Sequence, residues 1–173
     1  MIVLKCDITS LEVDIIVNAA NNTLLGGGGV DGIIHHKAGE KLVEDCAKLN
    51  GCETGEAKIT NAYNLFSDKI IHTVGPVYKS GGYGEAELLK KSYLNSMALA
   101  EDYRKENNKE NIAIAFPSIS TGAYGYPKEE ASKIAVDTIK EINNSKIEVI
   151  FVCFSDVDYQ IYLENVYGIK LNG

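Results

Sequence analysis

The sequence predicts an α/β three-layer sandwich. Short aliphatic runs alternate with longer stretches of helical periodicity, the order that interleaves strands and helices. The runs near residues 15, 112 and 149 are β-branched or aliphatic on consecutive positions, as central strands covered on both faces require. The length, 173 residues, suits one domain spanning 1–173 around a single core.

Strands are expected at 2–5, 15–18, 58–62, 69–74, 112–117 and 148–154. The link between the third and fourth is short, so part of the otherwise parallel sheet is expected to be antiparallel. Helices are expected at 32–49 with a break near Gly39, and at 85–107, 128–143 and 158–166. Within 85–107, Leu88, Leu89, Tyr93, Met97 and Ala100 recur at three- and four-residue steps and form one helix face. Pro127 stands just before 128–143, near the first turn, where a missing N–H does no harm.

The chain carries a formal net charge of -7 and has 45% hydrophobic residues, an ordinary globular composition without a basic nucleic-acid footprint. The opening MIVLKCDITS is too short an apolar run for a secretory signal, and no run approaches the roughly 18 residues of a membrane span. A cytoplasmic protein is expected. The four cysteines, at 6, 46, 52 and 153, lack C-x-x-C spacing; buried free thiols are expected at Cys6 and Cys153.

The stretch NAANNTLLGGGGVDGIIHH, residues 18–36, holds four consecutive glycines. Gly27, Gly29 and Gly32 satisfy G-x-G-x-x-G, but eight residues separate them from the preceding strand, and no acid ends the following one. A dinucleotide-binding Rossmann site is therefore disfavoured. Bare backbone leading into a helix N-terminus still suits an anion such as phosphate. Asp31 stands just beyond: it either stabilises the first helical turn or acts as a base or charge stabiliser toward a sugar past the phosphates. Asn21 either hydrogen-bonds a ribose hydroxyl or caps its own loop.

A second small-residue loop, SISTGAYGYP at 118–127, follows the strand at 112–117. Two such loops at the carboxyl ends of strands suit a diphosphate, and Tyr124 between glycines either covers a sugar ring or is a surface or packing tyrosine. Asp7 either accepts from an exocyclic amine or caps a turn with Thr9. His72, inside an apolar strand, reads as a satisfied core residue. His35 lies one turn beyond Asp31 on the same helix face. Three histidines scattered along the sequence give no metal-binding pattern, and no metal or redox cofactor is expected.

With both loops considered, the sequence resembles the macrodomain family, in particular its MacroD type. The matching segments are Asp7-Ile8-Thr9, VNAAN at 17–21, LLGGGGVDGIIH at 24–35, Ala38-Gly39, Thr54-Gly55-Glu56-Ala57, IHTVGP at 71–76 and SISTGAYGYP at 118–127. They stand in family order over nearly the whole chain. Cys6 occupies a position where relatives usually have Gly, and the segment Thr60 to Phe66 departs from the family's Thr-x-Gly-Tyr-x-Leu-Pro; that segment is expected to support the sheet more than the pocket.

The resemblance implies a mixed, mostly parallel six-stranded sheet with a cleft for ADP-ribose. It implies that Asp7 and Ile8 read the adenine, with Phe154 and Asp156 as further adenine-side contacts. Gly28, Gly29 and Val30 would bracket the diphosphate together with Ser118, Ser120, Thr121, Gly122 and Ala123. Asn21 and Asp31 would be catalytic at the distal ribose, which Tyr124 would cover. The implied activity is release of mono-ADP-ribose from acidic side chains, deacetylation of O-acetyl-ADP-ribose, or both, by a monomer acting on ADP-ribose esters and modified proteins. A non-catalytic ADP-ribose reader, an ADP-ribose 1''-phosphate phosphatase and an RNA-binding module stay open, the last opposed by the acidic composition.

Overall fold

A computed structural model describes residues 1–170. The strands are β1 (Ile2–Lys5), β2 (Ile15–Ala19), β3 (Ala57–Asn61), β4 (Lys69–Thr73), β5 (Ile112–Phe116) and β6 (Ile147–Cys153). The helices are α1 (Gly29–Ala38), α2 (Glu40–Lys48), α3 (Glu85–Glu106), α4 (Lys128–Ile142) and α5 (Asp156–Tyr167), with a 3-10 turn at Ile8–Ser10. The sheet order is β1-β6-β5-β2-β4-β3. Every neighbouring pair is parallel except β3 against β4, the pair whose short connection permits a hairpin-like return.

The two faces of the sheet bury different side chains. On one, Ile16 and Ile70 meet Ile34 of α1 and Leu42 of α2. On the other, Phe116 and Phe151 pack among Tyr93 of α3, Ala135 of α4 and Tyr162 of α5. The aromatic pairs Tyr93–Phe116 and Phe151–Tyr162 have ring centroids 5.1 Å and 4.9 Å apart, tilted as ring quadrupoles prefer. The expected three layers are thus present.

Two helices begin earlier than the periodicity suggests. α1 starts at Gly29 rather than 32, which places Asp31 in its first turn, where a carboxylate complements the helix dipole. Low glycine propensity hides this start in the sequence. α5 starts at Asp156 because the Ser155 hydroxyl accepts from the Asp158 N–H at 3.1 Å. The break at Gly39 is sharp: its φ of 94° is open to glycine, and its N–H still closes on His35 O. Among the described residues, no helix is long and apolar enough to cross a membrane.

Candidate functional site

The parallel strands β1, β2, β5 and β6 end at one edge of the sheet, and the segments that follow them enclose a cleft of about 500 Å³. Open α/β sheets bind ligands at this edge. The residue after β1, Cys6, contributes with Asp7 and Ile8. The β2 loop contributes Asn21, and α1's start contributes Gly28, Gly29, Val30 and Asp31. The β5 loop supplies Ser118, Ser120, Thr121, Gly122, Ala123 and Tyr124, and Phe154 follows β6. Of the residues singled out for the site, all but Asp156 line this one cleft.

The first loop is shaped by close backbone approach. A Cβ on Gly32 would lie 2.5 Å from Gly27 O, so the loop folds back onto the helix only because position 32 is bare. Gly28 caps α1 in an extended conformation, leaving the helix N-terminus open to the cleft. The Asn21 amide is engaged with its own loop: Nδ2 donates to Gly26 O at 3.0 Å, and Oδ1 accepts from Thr23 N and Oγ1 at 3.1 and 2.6 Å. The capping role is therefore realised. The same amide also borders the space at Gly27, where a Cβ would sit 3.3 Å from Asn21 Nδ2 and 3.1 Å from Asp31 Oδ2. Asn21 and Asp31 thus converge on one point.

Asp31 is 5% exposed. Burial pushes its carboxyl above the usual carboxylate range, opposed by a hydrogen bond from Asn18 and by the His35 ring. Asn18 Nδ2 donates to Asp31 Oδ1 at 2.8 Å, and His35 Nε2 lies 3.4 Å from the same oxygen. Oδ1 faces the protein interior, and Oδ2 faces the Gly27 space.

The second loop leans on Gly75. A Cβ there would lie 2.2 Å from Ser120 Oγ and 2.5 Å from Ile119 Cγ2. Ser120 is held at φ 67° and nearly buried. Ser118 Oγ accepts from Thr121 Oγ1 at 2.9 Å, tightening the turn. Tyr124 is tied from outside: its carbonyl accepts from the Tyr78 N–H at 2.8 Å. The segment bearing Tyr78 is fastened by the Glu85 carboxylate, which accepts from the N–H groups of Lys79 and Tyr83 at 3.1 and 3.0 Å. Those backbone bonds outweigh desolvation and hold the Glu85 carboxyl down at about 2.

At the opposite end, Asp7 Oδ1 caps the 3-10 turn, accepting from Thr9 N and Oγ1 at 2.9 and 2.6 Å. Oδ2 accepts from Lys37 Nζ at 2.7 Å, and these donors draw the carboxyl below its ordinary value, Lys37 first. Two expectations are corrected here. Asp156 does not line the cleft; it pairs with Lys5 at the start of α5, and Asp158 lines the cleft instead, bound to Lys128 Nζ at 2.7 Å. Cys6 is only half-buried, because it lies one residue past β1 on the cleft wall, whereas Cys153 is buried as expected; all four thiols are free.

Behind Asp31 lies a buried polar group that the sequence reading did not assemble. Asn18 of β2 and His72 of β4 are both 0% exposed and sit opposite each other in the strand register. Asn18 Nδ2 lies 3.1 Å from His72 Nδ1, and His72 Nε2 lies 2.9 Å from Thr60 Oγ1. His72 is thus a satisfied core residue, as expected. Thr60, in the segment that departs from the family pattern, reaches the same network. The signal for Asn18 was present: a lone amide in the aliphatic run IIVNA. The histidines, scattered in sequence, also meet in space, with ligand atoms of His35, Cys46 and His72 within 4.8 Å of one another. His72 engages Asn18 through Nδ1 and Thr60 through Nε2, the latter also 3.7 Å from Cys46 Sγ, and burial pushes the Cys46 thiol up to about 11.

The Macro domain family model matches residues 17–135, which include both loops. The chain belongs to the macro domain family. This macro domain is 57% identical over 162 residues to a macro domain-containing protein of Chlorobaculum tepidum, covering 92% of this chain and 91% of that protein. It is 51% identical over 161 residues to the human ADP-ribose glycohydrolase MACROD2, covering 90% of this chain but 36% of that protein, so it spans about a third of the human protein's length. Its backbone matches that of the Trypanosoma brucei macrodomain in complex with ADP-ribose with a TM-score of 0.83 at 38% identity, covering 95% of this chain and 68% of the other.

Proposed function

We propose that this macro domain binds ADP-ribose and hydrolyses esters on its distal ribose, the substrates being mono-ADP-ribosylated acidic side chains, O-acetyl-ADP-ribose, or both. The observation that carries this reading is the convergence of Asp31 Oδ2 and Asn21 Nδ2 on the bare Gly27 position, between two backbone cradles. Adenine would meet Asp7, Ile8 and the 82% exposed ring of Phe154. The diphosphate would lie between the N-terminus of α1 and the N–H groups of 118–123, where dipole and bare amides favour negative charge. The distal ribose would then rest under Tyr124 with its ester beside Asp31.

The chemistry follows from this placement. A water in the Gly27 space attacks the ester carbonyl, with Asp31 Oδ2 accepting its proton. The acyl–oxygen bond breaks, the ribose oxygen takes that proton, and the freed carboxylic acid leaves. Burial makes Asp31 a stronger base than an exposed aspartate. The Asn18 bond and the His35 ring oppose that effect. Binding energy from adenine and diphosphate is available to hold the ester at the reacting geometry. The human relative's name, ADP-ribose glycohydrolase, and the ADP-ribose complex of the trypanosome relative support the same class of ligand.

Calorimetry with ADP-ribose, followed by turnover of a carboxylate-linked mono-ADP-ribosylated protein, tests the proposal. Binding together with release of ADP-ribose supports it. Binding without release identifies a reader, and release of phosphate from ADP-ribose 1''-phosphate in place of ester cleavage identifies a phosphatase.

A further inference from the structure

We propose that His72 is a positioning residue: its bare Nδ1 fixes the Asn18 side-chain amide so that Asn18 presents an N–H, and never its carbonyl oxygen, to Asp31. The inference rests on the reading of Asp31 given above.

The strand register sets it up. Asn18 and His72 are Cα partners across β2 and β4, so their side chains emerge on the same face of the sheet, toward α1. Asn18 Nδ2 has two hydrogens and two partners, Asp31 Oδ1 at 2.8 Å and His72 Nδ1 at 3.1 Å. An ionised carboxylate only accepts. Nδ2 therefore donates to both, and Nδ1 carries no proton. The ring proton then resides on Nε2 and is donated to Thr60 Oγ1 at 2.9 Å. Thr60, His72, Asn18 and Asp31 form one chain of donors and acceptors with a single consistent polarity.

The alternative is an amide flip. Amide nitrogen and oxygen have nearly the same shape, so packing alone does not choose between them. A flipped Asn18 would set its oxygen against the Asp31 carboxylate and force a proton onto it. A ring protonated at Nδ1 would drive that flip. Burial prevents the imidazolium by pushing His72 down to about 3, which leaves the two neutral tautomers, and donation from Asn18 Nδ2 selects the one with a bare Nδ1. The groups that face Asp31 are His35 on its own helix α1, Cys46 on α2, Asn18 on β2 and, through Asn18, His72 on β4.

Two variants separate positioning from packing. His72→Leu fills the site with an apolar side chain and removes both ring nitrogens, the acceptor included; His72→Asn keeps an acceptor near the Nδ1 position and leaves a void. The expected result for His72→Leu is a fall in kcat of about tenfold or more with ADP-ribose Kd within about threefold, and an acid limb of the rate profile moved to higher pH. His72→Asn is expected to recover much of kcat and the original limb even where its Tm is the lower of the two. Equal losses in both variants, tracking Tm, or a His72→Leu enzyme with wild-type kcat and acid limb, would overturn the proposal. A readout independent of turnover is the 15N shift of the wild-type His72 ring: an unprotonated Nδ1 and protonated Nε2 are expected between about pH 6 and 8, and the opposite tautomer sinks the idea. A wild-type protein that binds ADP-ribose without turnover refutes the hydrolase reading, while the ring shifts still decide the tautomer.

Discussion

Asn18 Nδ2 donates to Asp31 Oδ1 at 2.8 Å, and this buried bond leaves Oδ2 as the oxygen that faces the cleft. One oxygen is held and the other is available. Asp31→Ala is therefore expected to lower turnover a hundredfold or more, the usual scale for a positioned acid–base group, while ADP-ribose affinity falls little. Calorimetry alongside initial rates checks this. A collapse of affinity with a normal rate per bound complex would make Asp31 a binding residue.

The same carboxylate is a burden on the fold. Its folded value is raised by burial, so the folded state prefers the neutral acid, and the cost of ionisation is fully present above the folded value. Asp31→Asn is expected to raise Tm at pH 7. The gain should shrink as pH falls through that raised value toward the ordinary carboxylate range, where wild type also carries the neutral acid. Thermal melts across pH read this directly, and a gain independent of pH would contradict it.

Gly27→Ala probes the reacting point. The new methyl would stand 3.1 Å from Asp31 Oδ2 and 3.3 Å from Asn21 Nδ2. It fills the space assigned to water without touching the phosphate amides. kcat should fall about tenfold or more, with ADP-ribose Kd within about threefold. Unchanged kcat would place the attacking water elsewhere.

Gly75→Ala probes the second cradle. Contacts of 2.2 and 2.5 Å with Ser120 and Ile119 force that loop to move. Overpacking of this kind costs about 1–3 kcal/mol. ADP-ribose affinity should weaken by about tenfold or more, because the displaced loop carries the amides assigned to phosphate. An unaltered Kd would detach this loop from the diphosphate.

Much of this architecture is legible in residues alone. The aliphatic runs at 15, 112 and 149 declare buried strands, and the lone antiparallel pair follows from a short link. The cleft is legible because its two cradles are built from glycine and other small residues, whose clustering is visible one-dimensionally. Two kinds of feature stay hidden. Helix starts at Gly29 and Asp156 depend on a cap and on Asp31 rather than on propensity. Partnerships across the sheet, such as Asn18 with His72, depend on register, which no local pattern states. Asp156 shows the same limit: two residues along a helix decide between pairing with Lys5 outside and facing the cleft, and only the starting point of α5 settles which.

The carboxylate of Glu85 gathers N–H groups from the 79–83 segment, and that segment holds the Tyr124 carbonyl through Tyr78. Glu85 opens the longest helix of the molecule, α3, which lies against β3, β4 and α4. The cleft wall beside Tyr124 is therefore guyed to a mast stepped on the far side of the sheet. Its rigidity is inherited from α3, and a lesion along that mast would slacken the wall without altering any atom that nucleotide touches.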